Sequence, residues 1–223
     1  MQSDDFRPVH LSPDNDYGLF EITNLEPSLG TALGNALRRV LLSDIPGFAA
    51  KSIKIGGVLH EFSTIPGVRE DVTEIVLNIK ALRMHSFTDG DKVLWLKAEG
   101  PCVVRAKDIQ PNFEVSILNP DAYICTLGEG AKIDLQIIAG HGKGYVSAED
   151  NRREGASIGT IPVDSLHSPI QKVNYYVRQN EMGSDVLMLE VWTDRTISPL
   201  RAVNLAAQKL AQLVHAIHVS LAE

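Results

Sequence analysis

Beyond Ser198-Pro199 the chain carries no further proline or glycine as far as Glu223, and Val203, Ala207, Leu210, Val214, Ile217 and Leu221 recur there at spacings of 4, 3, 4, 3 and 4. Serine followed by proline reads as an N-cap and first helical position. The alternation of three and four is the seam of a coiled coil. Such a helix is roughly 35 Å long at about 1.5 Å per residue. It therefore needs an equally long apolar partner, within the chain or in a second copy.

The other end of the chain offers a candidate partner. LGTALGNALRRVLLSDIPG, Leu29 to Gly47, follows Pro27 and Ser28, which reads as an N-cap. Leu29, Leu33, Ala36, Leu37 and Val40 repeat on one helix face, and Pro46-Gly47 ends the segment. At about 100° per residue, Arg38 projects nearly opposite that stripe and Arg39 lies on its flank. Gly30 and Gly34 share another edge. Each costs about 1 kcal/mol relative to alanine inside a helix, which implies a close backbone approach.

Between these ends the pattern is mostly that of antiparallel strands. Lys51 to Ile55, Val58 to Phe62, Lys92 to Lys97, Cys102 to Ala106, Phe113 to Ile117, Ala122 to Leu127 and Lys132 to Ile138 are short and separated by Gly, Pro, Asn and Asp. Lys172 to Arg178 and Val186 to Trp192 follow, and Asp164 to Gly183 is read as strand and loop. Glu70 to Lys80 begins with acids and places Val72, Ile75, Val76 and Ile79 at helical spacing. The expected class is α+β.

With 223 residues, 44% of them apolar, the chain can form one large domain or two small ones. A net charge of -7 argues against a general nucleic-acid binder, since the dense basic runs are only Arg38-Arg39 and Arg152-Arg153. No apolar run approaches the roughly 20 residues of a membrane span, and Met1 to Asp16 has no leader-peptide pattern. Cys102 and Cys125 read as reduced core thiols, which points to a cytoplasmic protein.

Chemical motifs are few. Gly155-Ala156-Ser157-Ile158-Gly159 matches the nucleophile elbow of serine hydrolases, which makes Ser157 the basis of an alternative reading. The elbow needs a strand before it and a helix after it. Here a charged loop precedes and extended chain follows. AGHGKGY, Ala139 to Tyr145, lacks the phosphate-binding pattern and reads as a mobile turn. His60-Glu61 lacks the second histidine of a zinc protease, and the pair His215 and His218 lacks a third ligand. No catalytic residue, metal or cofactor is expected.

The specific signal lies in longer segments. GTALGNALRRVLLSDIPG, followed by IGGVLHEFSTIPGVREDVTEIVLNIKAL, KGYVSAEDN, IGTIPVDSLHSPIQKVNYYV and LEVWTDRTISP, closely resembles the N-terminal region of the bacterial-type RNA polymerase alpha-subunit family, in the same order. The resemblance implies a dimerisation subdomain from residues 1–46 and 172–223, interrupted by an inserted β-rich subdomain at 47–171. It implies a homodimeric scaffold that recruits the beta and then the beta prime subunit, with catalysis left to those large subunits. An obligate interface of this kind buries over about 2,000 Å². Leu33, Ala36, Leu37, Val40, Val203, Leu210, Val214 and Ile217 are then expected at the dimer interface. Arg38, Arg39, Gly67, Glu70 and Asp71 are expected at beta, and Lys80 at beta prime. Relatives continue into a DNA-contacting C-terminal domain. This sequence stops where its linker would begin, so direct DNA binding is not expected of it.

Overall fold

The computed structural model describes residues 5–220, so Leu221, the last seam position, lies outside the described residues. In chain order the elements are β1 (Phe6–Leu11), β2 (Tyr17–Leu25), α1 (Leu29–Asp44), β3 (Pro46–Ile55), α2 (Val72–Lys80), β4 (Met84–Ser86), β5 (Lys92–Glu99), β6 (Cys102–Arg105) and β7 (Val115–Ile117). They continue as β8 (Tyr123–Leu127), β9 (Lys132–Lys143), β10 (Tyr145–Val146), β11 (Thr160–Pro162), β12 (Ser165–Leu166), β13 (Ile170–Gln179), β14 (Asp185–Thr193) and α3 (Pro199–Ser220). This is an α+β fold. Among the described residues, those up to Ile45 together with those from Ser168 onward form one unit, and Pro46–His167 form the other. Among the described residues no helix is long and apolar enough to cross a membrane.

In the unit built from both chain ends, four antiparallel strands run in the order β1-β2-β14-β13. The period-two side-chain rule puts Phe20 and Ile22 of β2 and Leu187, Leu189 and Val191 of β14 on one face. Leu37 and Leu41 of α1 and Ala202, Val203 and Ala206 of α3 complete that core. On the opposite face the buried Glu21 accepts from Arg7 Nε at 2.7 Å and Arg178 Nη2 at 2.8 Å. The Lys172 ammonium stands 4.5 Å from the Trp192 ring centroid.

The buried stripe of α1 is not the one expected from its leucines. Gly30, Gly34, Leu37 and Leu41 are buried, whereas Leu29 is exposed and Leu33, Ala36 and Val40 are half-buried at the edge. The glycines face β13, because side-chain atoms of Val177 and Tyr175 occupy the space a Cβ would need. Ser28 also departs from expectation: its φ of 74° is left-handed and its side chain caps nothing. The Asp185 carboxylate instead accepts the Gly30 N–H at 3.2 Å. At the other end of α1, Lys209 Nζ meets the Asp44 carboxylate at 2.5 Å and also donates to the Asp44 carbonyl, satisfying the negative end of the helix dipole.

In the other unit, a sheet of order β5-β9-β3-β4-β7, with β11 paired to β3, carries the core. Val72, Ile75 and Ile79 of α2 are fully buried with Ile53, Leu96, Ile124 and Leu135. Three expectations fail here. Val58 to Phe62 forms a loop in which Val58 is buried and Phe62 is 81% exposed. Ala139 to Lys143 is no turn but the end of β9, where Gly142 pairs with Gly47 and leaves room for the His167 ring. Cys125 is buried, but Cys102 is exposed rather than a core thiol. Burial pushes the Cys125 thiol up to about 12, with the Glu70 charge adding to it, so Cys125 stays protonated.

Candidate functional site

The first candidate surface is the α1–α3 layer. Leu37 and Val203 are buried in the unit's own core, and Leu33, Val40 and Leu210 pack partly against it. Ala36 is half-buried. Leu33, Leu37, Val203, Leu210 and Val214 all line one apolar groove of about 610 Å³. From Ala211 to Val219 every residue of α3 is exposed. Val214 is 64% and Ile217 55% exposed, beside Leu213 at 60%. The seam is thus split. Val203 is buried within the unit, Ala207 is exposed and Leu210 half-buried along the groove, and the second half, which looks the same in sequence, has no cover among the described residues. His215 and His218 share that exposed half.

Arg38 and Arg39 are both exposed: at about 100° per residue Arg39 projects opposite the buried stripe of Gly30, Gly34, Leu37 and Leu41, and Arg38 lies on its flank, the reverse of what the leucine pattern implied. Neither guanidinium has an ion pair or hydrogen bond among the described residues. The Arg39 carbonyl accepts from Ser43 Oγ at 2.8 Å. Two planar donor forks on one rigid helix are suited to carboxylates or carbonyls.

The Gly67 to Val72 turn is fixed from several sides. Gly67 has a φ of 76° and its carbonyl accepts the Gly128 N–H at 2.7 Å. The Arg69 N–H donates to the Thr126 carbonyl at 3.0 Å, which lays the turn alongside β8. Glu70 is buried rather than outward-facing. Its carboxylate accepts the Thr126 N–H at 2.7 Å and the Tyr123 hydroxyl. Burial and then the hydrogen bond to the Glu70 carboxylate raise the Tyr123 phenol above its ordinary value, so it remains a donor. Asp71 caps α2 by accepting the Glu74 N–H at 2.7 Å, and Glu74 reaches back to the Asp71 N–H. This places the helix start at Val72, two residues into the segment expected to be helical.

Lys80, at the last turn of α2, pairs with Asp164 at 3.2 Å. The Ala148 amide, then the Lys80 ammonium, hold the Asp164 carboxyl below the usual carboxylate range. Sequence reasoning missed Arg69, Tyr123 and Thr126. Tyr123 lies 53 positions from Glu70, and nothing in either segment announces the pairing.

Ser157 sits on an exposed turn, where Lys54 Nζ donates to its Oγ at 3.0 Å and Thr160 Oγ1 is also 3.0 Å away. Strand β11 follows it, whereas a nucleophile elbow feeds a helix. The serine closes a turn, and the hydrolase alternative lacks its structural context.

Residues 53–168 match the model of the RNA polymerase Rpb3/RpoA insert domain. The DNA-directed RNA polymerase subunit alpha of Alkaliphilus metalliredigens (strain QYMF) is 46% identical over 216 residues, which cover 95% of this chain and 69% of that relative. The unit formed by the middle of the chain thus carries the family's insert, and the identity to the relative reaches well beyond it in sequence. The chain belongs to the DNA-directed RNA polymerase alpha-subunit family.

Proposed function

We propose that this chain acts as a homodimeric assembly scaffold: two copies associate through the α1–α3 layer and the dimer recruits beta and then beta prime. The observation that carries this reading is the uncovered second half of α3. Three large aliphatic side chains, Leu213, Val214 and Ile217, are each more than half exposed on one helix that continues an apolar groove. A contiguous apolar face of that kind is a mark of an interface. A second copy supplies the same stripe, as a two-fold axis requires. The dimerisation role falls to the unit formed by the chain ends.

Arg38 and Arg39 stand off the buried face of α1 with their forks unused, which favours a protein partner on that side. The beta subunit is that partner in this reading, with the Gly67 to Val72 turn as a second beta-facing element. Glu70 and Asp71 serve there as internal supports of the turn, given the bonds they already make. Lys80, tethered to Asp164, is the beta prime element. The chain itself supplies no catalytic group in this scheme, and nucleotidyl transfer belongs to the large subunits.

Sedimentation of the purified chain, alone and then mixed with beta, tests the proposal. A dimer at micromolar concentration that binds beta, and an Arg39→Ala variant that stays dimeric but binds beta more weakly, are the expected results. A monomer, or an Arg39→Ala dimer that binds beta as the parent does, would overturn it.

A further inference from the structure

We propose that Arg69 is a partner-recognition residue of the insert turn, and that the buried Glu70 carboxylate positions it to engage a carboxylate on the beta subunit. The inference rests on the reading above that this turn faces beta.

The backbone on both sides of Arg69 is immobilised. Before it, the Gly67 carbonyl is bonded to Gly128, and a Cβ at Gly67 would lie 2.7 Å from the Ala131 Cβ, so this glycine fits where no other residue does. At Arg69 itself the N–H is bonded to Thr126. After it, Glu70 is held by Tyr123 and Thr126, and Asp71 is locked into the capping box of α2. From this fixed base the Arg69 side chain is 80% exposed, with Nε 4.0 Å from the Glu70 carboxylate. Only its own rotamers remain to be ordered on binding, which lowers the entropic cost of a contact made there.

The chemistry favours one carboxylate as the ligand. Arginine offers a planar fork that matches a carboxylate in bidentate fashion. An extended polyanion is disfavoured, because Asp71 and Glu74 flank the same turn and the chain as a whole carries a charge of -7. The loop that carries the exposed Phe62 is tied to the turn as well, through Val72 N–H to the Ser63 carbonyl at 3.1 Å and Thr73 Oγ1 to the Glu61 carbonyl at 3.0 Å. The exposed Phe62 is therefore carried on a loop anchored to the first turn of α2, which the Arg69 turn leads into.

Binding of the dimer to purified beta, by titration calorimetry, tests this with Arg69→Ala, Arg69→Glu, Arg69→Lys and Tyr123→Phe, each first checked for an unchanged melting midpoint. Arg69→Ala is expected to weaken binding about tenfold, Arg69→Glu more, and Arg69→Lys less. Tyr123→Phe, which removes the donor to Glu70, should weaken binding when Arg69 is present and have no further effect in Arg69→Ala. That non-additivity reports positioning, since a general loss of structure would act equally in both backgrounds. Arg69→Glu binding as the parent does, while Arg39→Ala binds more weakly, would overturn this inference and leave the beta-docking reading intact. Equal effects of Tyr123→Phe in both backgrounds would overturn the positioning role of Glu70. If Arg39→Ala and Arg69→Glu both bind as the parent does, the docking reading falls with it.

Discussion

Gly34 of α1 lies so close to Tyr175 of β13 that a Cβ on the glycine would sit 2.5 Å from Tyr175 Cδ2. The helix can approach the sheet this far only because it presents hydrogen where other residues present carbon. Gly30 repeats the arrangement one turn earlier, where a Cβ would come within 2.9 Å of Val177 Cγ1. Arg39 on the outer face of the helix and Arg38 on its flank are positioned by this contact, since it fixes how α1 seats on the strands.

Gly34→Ala should therefore destabilise the fold despite alanine's better helix propensity. Propensity would contribute about 1 kcal/mol in favour, while overpacking against an aromatic ring costs about 1–3 kcal/mol. The urea midpoint should fall in the single variant. In a Tyr175→Ala background the ring is gone, and the same substitution should raise the midpoint. An increase in both backgrounds would show that the close approach is not what selects glycine there.

A second prediction concerns Glu21, whose carboxyl is held below its ordinary value of 4.5, first by the hydrogen bond from Arg7, with Arg178 acting in the same direction against the cost of burial. A carboxyl lowered in the folded state contributes stability above its unfolded pKa and loses it as pH falls through the folded value. Unfolding midpoints of the parent should hold above about pH 4.5 and decline below it. Glu21→Gln should cost on the order of 1 kcal/mol at neutral pH, discounted because both guanidinium partners are largely exposed, and its acid decline should be shallower. Parallel acid profiles for the two proteins would contradict this.

The same residue explains part of what the sequence concealed. Val186 to Trp192 reads as a strand because Val186 to Leu189 is an unbroken apolar run followed by Val191 and Trp192, and it forms β14, one of the two inner strands of its sheet. Its neighbour β2 did not, since Gly18, Glu21, Thr23 and Asn24 leave no apolar run longer than Leu19-Phe20, and the two partners of Glu21 lie 14 and 157 positions away. β1 was hidden by Pro8 and by the irregular register between Pro8 and His10. The face of α1 was misassigned because glycine adds nothing to an apolar count yet fills the most buried edge. Segment resemblance located the Gly67 to Val72 turn, but which of its residues faces outward depends on Tyr123 and Thr126 of β8, and no local pattern encodes that.

A third prediction follows from His167, packed so that a Cβ on Gly142 would be 2.5 Å from its Cδ2 and Nε2. Burial, then the Lys51 charge, lowers its pKa from 6.5, with the Gly47 carbonyl opposing and the His141 charge adding. Below about pH 6.5 the unfolded chain binds a proton that the folded imidazole does not, so stability is full above that pH and falls below it. The midpoint should drop between about pH 7.5 and 5.5, and His167→Gln should flatten the drop. Gly142→Ala should destabilise at every pH by about 1–3 kcal/mol. A pH profile of His167→Gln that overlays the parent would remove His167 as its source.

The last prediction separates the core of α3 from its outer half. Leu210 first suggests itself as the seam position to charge, but it packs against the unit's own core, so a carboxylate there would damage the protomer along with any interface. Val214 and Ile217 are the better probes, because both are more than half exposed and a charge on either costs an isolated protomer little. At a symmetric interface each substitution enters twice, and the two carboxylates would be desolvated in an apolar seam at several kcal/mol. Val214→Glu and Ile217→Glu should each keep the parent's far-UV circular dichroism and sediment as monomers at micromolar concentration. Retention of the parent's sedimentation coefficient by both would mean that the exposed half of α3 is not where two copies meet.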